Sequence, residues 1–218
     1  MSNNRNKKRR GGRGRGRGRR YSPDEQISRS LSYHLRHNKS LELDPQGYYP
    51  VSKILLLDGL TNFVEEDVKG CVASNKKQRF KLKEEDNILY IKANQGHSRV
   101  IEKLELTPIT NKNIPPICVH GTYRNAFNKI KQKGLSKMKR THIHFAPNVP
   151  GKGEVISGMR QNCPIQIFIN VEMAMNDGIK FFQSENKVIL TTGNEEGFLL
   201  KKYFLKVVET KTNKKLQF

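Results

Sequence analysis

The first twenty residues contain ten Lys or Arg and no Asp or Glu, and from Gly11 to Arg19 they alternate Gly with Arg. That run has nothing apolar to bury, so the entropy cost of ordering its backbone would go unopposed. A disordered basic tail over residues 1–21 is expected, and the fold must be built from residues 22–218. This remainder allows one large domain or two small ones. The formal net charge is +21 over 218 residues, about half of it in the tail, and such a surface attracts a polyanion. Arg-Gly segments bind RNA through phosphate charge and through stacking of guanidinium on bases. A nuclear localisation signal or a solubilising tail has the same composition.

No run approaches the roughly 18 consecutive apolar residues of a membrane span, and no apolar h-region follows the basic N-terminus. An intracellular protein of nucleus or cytoplasm is expected, with no membrane partner and as a monomer. Cys71, Cys118 and Cys163 are odd in number and widely spaced, which fits packing in a reducing compartment better than a disulfide scaffold.

Order is expected from Ser22-Pro23-Asp24-Glu25, where Ser22 caps, Pro23 suits the first helical position and Glu25 completes a capping box. Ile27, Leu31 and Leu35 follow at i, i+4 and i+8 as one buried stripe, and Arg36 lies about 180° from Ile27 on the helix. The helix should end near Arg36-His37-Asn38, where its negative end favours cations. His34 belongs to the edge of the core and is given no role. A turn at Asp44-Pro45-Gln46-Gly47 and short helices over 52–58 and 64–75 come next. A hairpin then pairs Arg79-Phe80-Lys81-Leu82 with Ile88 to Ile91 around a turn over 83–87. Three helices and a hairpin over 22–110 read as a winged-helix module, a fold-level analogy.

Asn111 to Pro116 is polar and Pro-containing, a boundary to a second lobe over 111–218. Ile117 to His120 reads as a strand, with Thr122 capping a helix that stops at Gly134. Strands are predicted at 143–146, 165–171, 188–191 and 203–208. The fold class is α+β in two lobes.

Five of the six histidines, all but His34, fall in polar or Gly-flanked segments, the places where function concentrates. His142-x-His144 puts two imidazoles on one side of a strand, yet the chain lacks the paired close spacings of structural zinc, and no metal site is expected. Neither a GxxxxGK[ST] loop nor a GxGxxG after a strand is present.

Several segments carry a resemblance. The first half contains Leu31-Ser32-Tyr33-His34-Leu35-Arg36-His37, Asp44-x-x-Gly47-Tyr48, Arg79-Phe80 and Gln95-Gly96-His97-Ser98. The second half contains His120-Gly121-Thr122, Gly134-Leu135, Arg140-x-His142-Ile143-His144, Ser157-Gly158-Met159-Arg160 and Ser184-x-Asn186-x-Val188-x-Leu190-Thr191. In this order and spacing, over about residues 24–208, the chain resembles the RNA 2′-phosphotransferases of tRNA splicing.

The resemblance implies a winged-helix RNA lobe followed by an ADP-ribosyltransferase-like lobe that binds NAD as co-substrate, without metal. The implied reaction moves an internal 2′-phosphate of tRNA or another RNA to NAD through an RNA-2′-phospho-ADP-ribose intermediate. It ends in 2′-hydroxyl RNA, nicotinamide and ADP-ribose 1″,2″-cyclic phosphate. The family's catalytic Arg, His, Arg and Arg fall on Arg36, His37, Arg79 and Arg140, guanidiniums being suited to holding a dianionic phosphate. On the NAD side the resemblance implies His120, Gly121 and Thr122 at a strand end, with His142, His144, Ser157 and Arg160, and an aromatic stacking partner at Phe145.

Asn186-Lys187-Val188 offers no glutamate where protein-modifying relatives keep one, as suits a nucleophile already ionised. Asn38 stands where Gly often follows the Arg-His pair, and Lys92 where Arg often precedes Gln95, which would weaken an RNA phosphate contact. Two alternatives remain open: a non-catalytic RNA-binding module, and an ADP-ribosyltransferase acting on terminal phosphates of RNA or DNA.

Overall fold

Ser22 opens the first helix as its chemistry requires. Its hydroxyl accepts from the Glu25 amide at 3.3 Å while the Glu25 carboxylate accepts from the Ser22 amide at 3.4 Å. Two donors that a helix start leaves unpaired are thereby satisfied. Helix α1 (Pro23–His37) buries Ile27, Leu31 and Leu35, a stripe worth roughly 1.5–3 kcal/mol per side chain. Asn38 closes the helix: its amide bonds Tyr33 O, its Nδ2 meets His34 Nδ1 at 3.2 Å and its Oδ1 accepts from Ser40 N. Asn38 is thus a cap, and His34, with Nε2 2.9 Å from Asp58 O, is a satisfied core histidine. The computed structural model describes residues 21–149, 157–160 and 162–218; the Arg-Gly run lies outside them.

Strand β1 (Tyr48–Pro50), helices α2 (Val51–Ile54) and α3 (Glu65–Ser74), and strands β2 (Phe80–Glu85) and β3 (Ile88–Ala93) follow. The antiparallel sheet has the order β1-β3-β2, and its Phe80 and Ile91 join Leu31, Leu35, Val51 and Ile54 in one core. The β2–β3 turn is tighter than the expected five residues. Only Asp86 and Asn87 stand between the strands, both left-handed at φ 52° and 59°, as a two-residue hairpin turn demands. Lys83, Glu84 and Glu85 extend β2 because an edge strand has an open side on which charge is tolerated.

Beyond it lie β4 (Leu106–Pro108), β5 (Val119–Thr122), α4 (Arg124–Lys133), β6 (Leu135–Ser136), β7 (Ile143–Phe145), β8 (Ile165–Ile169), α5 (Val171–Asn176), β9 (Phe181–Ser184), β10 (Ile189–Thr191), β11 (Phe198–Leu199) and β12 (Phe204–Glu209). They form sheets β4-β9-β10-β7 and β12-β8-β5 and the pair β11-β6. A bridge between Val119 and Ala146 joins the first two, and a second core gathers Phe127, Phe145, Ile165, Ile167, Phe181 and Val207. The fold is therefore mixed α/β, with five α-helices and antiparallel sheets among the described residues.

Three local expectations are corrected. Thr122 remains in β5, paired with Ile165, so the α4 cap position falls to Tyr123, which makes no side-chain capping bond. The strand expected over 165–171 stops at Ile169, because Asn170 Oδ1 accepts from Met173 N and starts α5. Lys92 is no RNA ligand. It is 1% exposed, with Nζ 2.7 Å from Glu105 Oε2, 3.9 Å from Glu185 Oε2 and 4.8 Å from the Tyr48 ring centroid. Lys81 meets the same two acids at 3.4 and 2.5 Å, so β2 and β3 are fastened to the chain flanking β4 and to the β9–β10 turn. Lys92→Met should lower unfolding stability in urea by about 2 kcal/mol, less than a fully buried pair would lose because Glu105 is 40% exposed.

Cys71, Cys118 and Cys163 are free and buried. No helix among the described residues is long and apolar enough to cross a membrane.

Candidate phosphate and nucleotide site

Three segments meet at the C-terminal end of α1. Gly96 has φ +93°, and a Cβ there would stand 3.4 Å from Arg36 Cδ and Nε, so glycine serves both the loop and the guanidinium lying on it. Ser98 fastens that loop to the helix end, its amide at 3.0 Å and its hydroxyl at 3.2 Å from Arg36 O. On the other side His97 O accepts from Thr141 N at 3.0 Å, which draws Arg140 in from the second core's chain. Arg79, at the start of β2, donates from Nη1 to Asn75 Oδ1 at 3.2 Å, and its carbonyl accepts from Asn94 N. The separated Arg36, Arg79 and Arg140 thus come together.

Burial pushes the Arg36 pKa down to about 10, and repulsion from Arg140 and then Arg79 adds to it. Partial desolvation beside the cluster, then Arg140, then Arg36 lower His37, much of whose side chain is open to solvent at the edge. Arg140 is lowered by burial and then by Arg160, and Arg79 by burial. Among the described residues none of Arg36, Arg79 or Arg140 has a carboxylate within 4.0 Å. Arg36 Nε and Nη2 are moreover buried without a hydrogen-bond partner. Converging guanidiniums with unused donors suit one ligand class, an anion rich in acceptors such as phosphate.

The expected nucleotide residues lie alongside. His120 Nδ1 is 2.9 Å from His144 O, so Nδ1 carries the proton and Nε2 is left to accept. His144 Nε2 is buried and unpartnered, and burial followed by Arg140 holds its pKa well below the usual histidine value. His142 Nδ1 meets Thr141 Oγ1 at 2.9 Å. A Cβ on Gly121 would fall 2.4 Å from Met159 Cγ, so the strand must carry glycine for the 157–160 segment to lie on it.

Other expectations shift. Ser157 Oγ donates to Lys77 O at 3.2 Å and accepts from Asn186 Nδ2 at 2.9 Å, while Lys77 Nζ donates to Met159 O at 2.9 Å. Its hydroxyl thus serves a clasp between the two halves. Phe145 is fully buried in the second core and presents no open ring face for stacking. Thr122 is 5% exposed within its sheet. Arg160 is exposed, 5.9 Å from the Tyr123 ring centroid.

His97, to which the sequence assigns no role of its own, sits at the junction. It is 1% exposed with neither ring nitrogen bonded, and burial, then Arg36, then Arg99 lower its pKa to about 3. Its place between Gly96 and Ser98 is the sequence signal for it. No group of three His, Cys, Asp or Glu arranged to hold a metal occurs among the described residues.

Comparison with known proteins bears on this site. The family model for "RNA 2'-phosphotransferase, Tpt1 / KptA family" matches residues 22–193. A tRNA 2'-phosphotransferase 1 of Danio rerio is 48% identical over 84% of each chain. The protein of that name from Homo sapiens is 46% identical over 88% of this chain and 78% of its own. A tRNA 2'-phosphotransferase of Saccharomyces cerevisiae is 35% identical over 78% and 79%. The matched span takes in Arg36, His37, Arg79 and Arg140, and on this likeness the chain belongs to the RNA 2'-phosphotransferase, Tpt1 / KptA family.

Proposed function

We propose that this protein removes the splice-junction 2′-phosphate of tRNA, or of another internally 2′-phosphorylated RNA, by transferring it to NAD. The products would be 2′-hydroxyl RNA, nicotinamide and ADP-ribose 1″,2″-cyclic phosphate. The observation that carries the reading is the convergence of Arg36, Arg79 and Arg140 with no carboxylate beside them among the described residues. A dianionic phosphate supplies the counter-charge they lack, and guanidiniums hold it bidentately where an ammonium would not.

Residues on the second side suit a nucleotide. His144 Nε2 is a buried polar atom awaiting a partner, and His120, held through Nδ1 by the His144 carbonyl, keeps Nε2 as an acceptor. When bound, NAD supplies an anomeric carbon that can accept the phosphate oxygen. Arg36 and Arg79 hold and orient the phosphate. His37, exposed and with its pKa lowered, is neutral near pH 7 and able to take a proton. Arg140 favours the charge that develops at phosphorus during release. In this reading residues 22–110 form a winged-helix RNA lobe and 111–218 an ADP-ribosyltransferase-like lobe.

Incubating the protein with NAD and a short RNA bearing one internal 2′-phosphate tests the proposal. NAD-dependent conversion to 2′-hydroxyl RNA is expected, and unchanged RNA would refute it. RNA that stops at an ADP-ribosylated product would identify a transferase lacking the second step. Arg140→Ala should make RNA-2′-phospho-ADP-ribose accumulate, whereas Arg36→Ala should slow its formation. Equal loss at both steps in both variants would contradict this division of roles.

A further inference from the structure

We propose that a groove beside Arg79 is a nucleobase site, seating a base that flanks the 2′-phosphate of the RNA. The inference rests on the phosphate-transfer reading. The groove has a volume of about 490 Å³, within the roughly 300–1,000 Å³ of small-ligand sites. Its walls include Ala73 and Ser74 at the end of α3, Asn75 and Gln78 in the following turn, Phe80 of β2 and Asn94 after β3.

Three observations point to an occupant. Asn94 is 7% exposed; its Nδ2 donates to Gln78 O at 2.8 Å while its Oδ1 is buried without a partner. A buried acceptor left unpaired is destabilising, and an N–H donor from a ligand would relieve it. Gln78 has φ +44°, a left-handed conformation costly for a residue with a Cβ and concentrated at ligand clamps. Asn75 belongs to both sites, since its Oδ1 holds Arg79 N at 3.4 Å and Arg79 Nη1 at 3.2 Å. A phosphate on Arg79 and a ligand in the groove are thus one side chain apart.

The chemistry of this lining selects a base. Every nucleobase carries an N–H on its edge for Asn94 Oδ1 and a flat body that can lie in a groove floored by the buried Phe80, whose rim carries exposed Lys76 for the RNA backbone and the Lys81–Glu185 ion pair. The adenine of NAD offers the same chemistry. The groove, however, is built mainly from the first core's elements and adjoins Arg79, whereas His120, Gly121 and His144 belong to strands around the second core. The RNA is therefore the assigned source.

The test uses the full chain and short 2′-phosphorylated RNAs with a normal, abasic or 2-aminopurine nucleotide on either side of the phosphate. An abasic residue at one flank should raise KM for RNA about tenfold with kcat unchanged, and 2-aminopurine there should be quenched on binding without NAD. Ala73→Trp, which fills the groove from an exposed wall position, should raise KM for normal RNA about tenfold and remove the response to the abasic residue. Multiplicative effects, or indifference to both flanks, would overturn the assignment. So would Ala73→Trp changing the enzyme's preference for NAD over nicotinamide mononucleotide, which would mark the groove as an adenine site. If no RNA is turned over but quenching occurs in wild type and is lost in Ala73→Trp, the transfer reading fails and the base site stands.

Discussion

Replacing Arg36 with alanine should slow phosphate transfer by about a hundred- to a thousandfold, the usual cost of losing a preorganised charged donor, while the thermal midpoint of the RNA-free protein stays level or rises. The two directions are opposed for one reason. Arg36 is pressed against Gly96 with Nε and Nη2 buried and unbonded, and it shares its surroundings with Arg140 and Arg79. Without an anion this arrangement is repulsive, so removing one member relieves the folded state even as it removes the phosphate's seat. A structural arginine would behave otherwise, because its loss would leave partners unpaired and lower the midpoint. Arg36→Lys should recover only part of the rate, since it restores charge without the planar fork. Single-turnover transfer at saturating NAD, with thermal unfolding in a buffer free of multivalent anions, checks both directions. Retained activity, or a clear fall in midpoint, would exclude this role. Sulfate or inorganic phosphate should raise the midpoint of the wild type more than that of Arg36→Ala.

Local signals carried the first half of the fold well. Ser22 and Glu25 cap as a pair, Ile27, Leu31 and Leu35 bury as a stripe, and the hairpin forms where alternation placed it, because each feature depends on neighbours within a few residues. Strand ends were less legible. Whether Thr122 caps a helix or continues a strand is settled by its pairing with Ile165, a partner 43 positions away. Lys92 misled for the same reason: a lysine ahead of a phosphate-site motif is indistinguishable in sequence from one whose partner is Glu105. Family motifs could nominate Arg36, Arg79 and Arg140 one at a time. Their mutual repulsion and the Ser157–Lys77–Asn186 clasp depend on tertiary approach, which no local pattern encodes. His97 escaped for a related reason, since its character comes from complete burial and the cations around it.

His97 alone should make folding stability fall by about 2 kcal/mol between pH 6.5 and pH 5.0. Its pKa is lowered from the ordinary 6.5 to about 3, first by burial and then by Arg36, Arg99, His37 and His142. The unfolded chain therefore takes up a proton near pH 6.5 that the native ring refuses until far lower. Stability is intact above that range and is lost as pH falls, at about 1.4 kcal/mol per pH unit. His144, lowered in the same direction, adds to the loss. Glu105, Asp177 and Glu209 are also lowered, but their effect begins only in the carboxylate range and leaves this window to the histidines. Urea unfolding at the two pH values, in wild type and His97→Gln, should show the wild type losing about 2 kcal/mol more than the variant. Parallel losses would mean that the native ring takes up its proton normally. The phosphate reading adds a condition. An anion held by Arg36 offsets the charge that disfavours a protonated His97, so saturating inorganic phosphate should reduce the wild-type loss and leave His97→Gln less affected. If phosphate stabilises both proteins equally at both pH values, the cation cluster and the buried histidine are electrostatically independent.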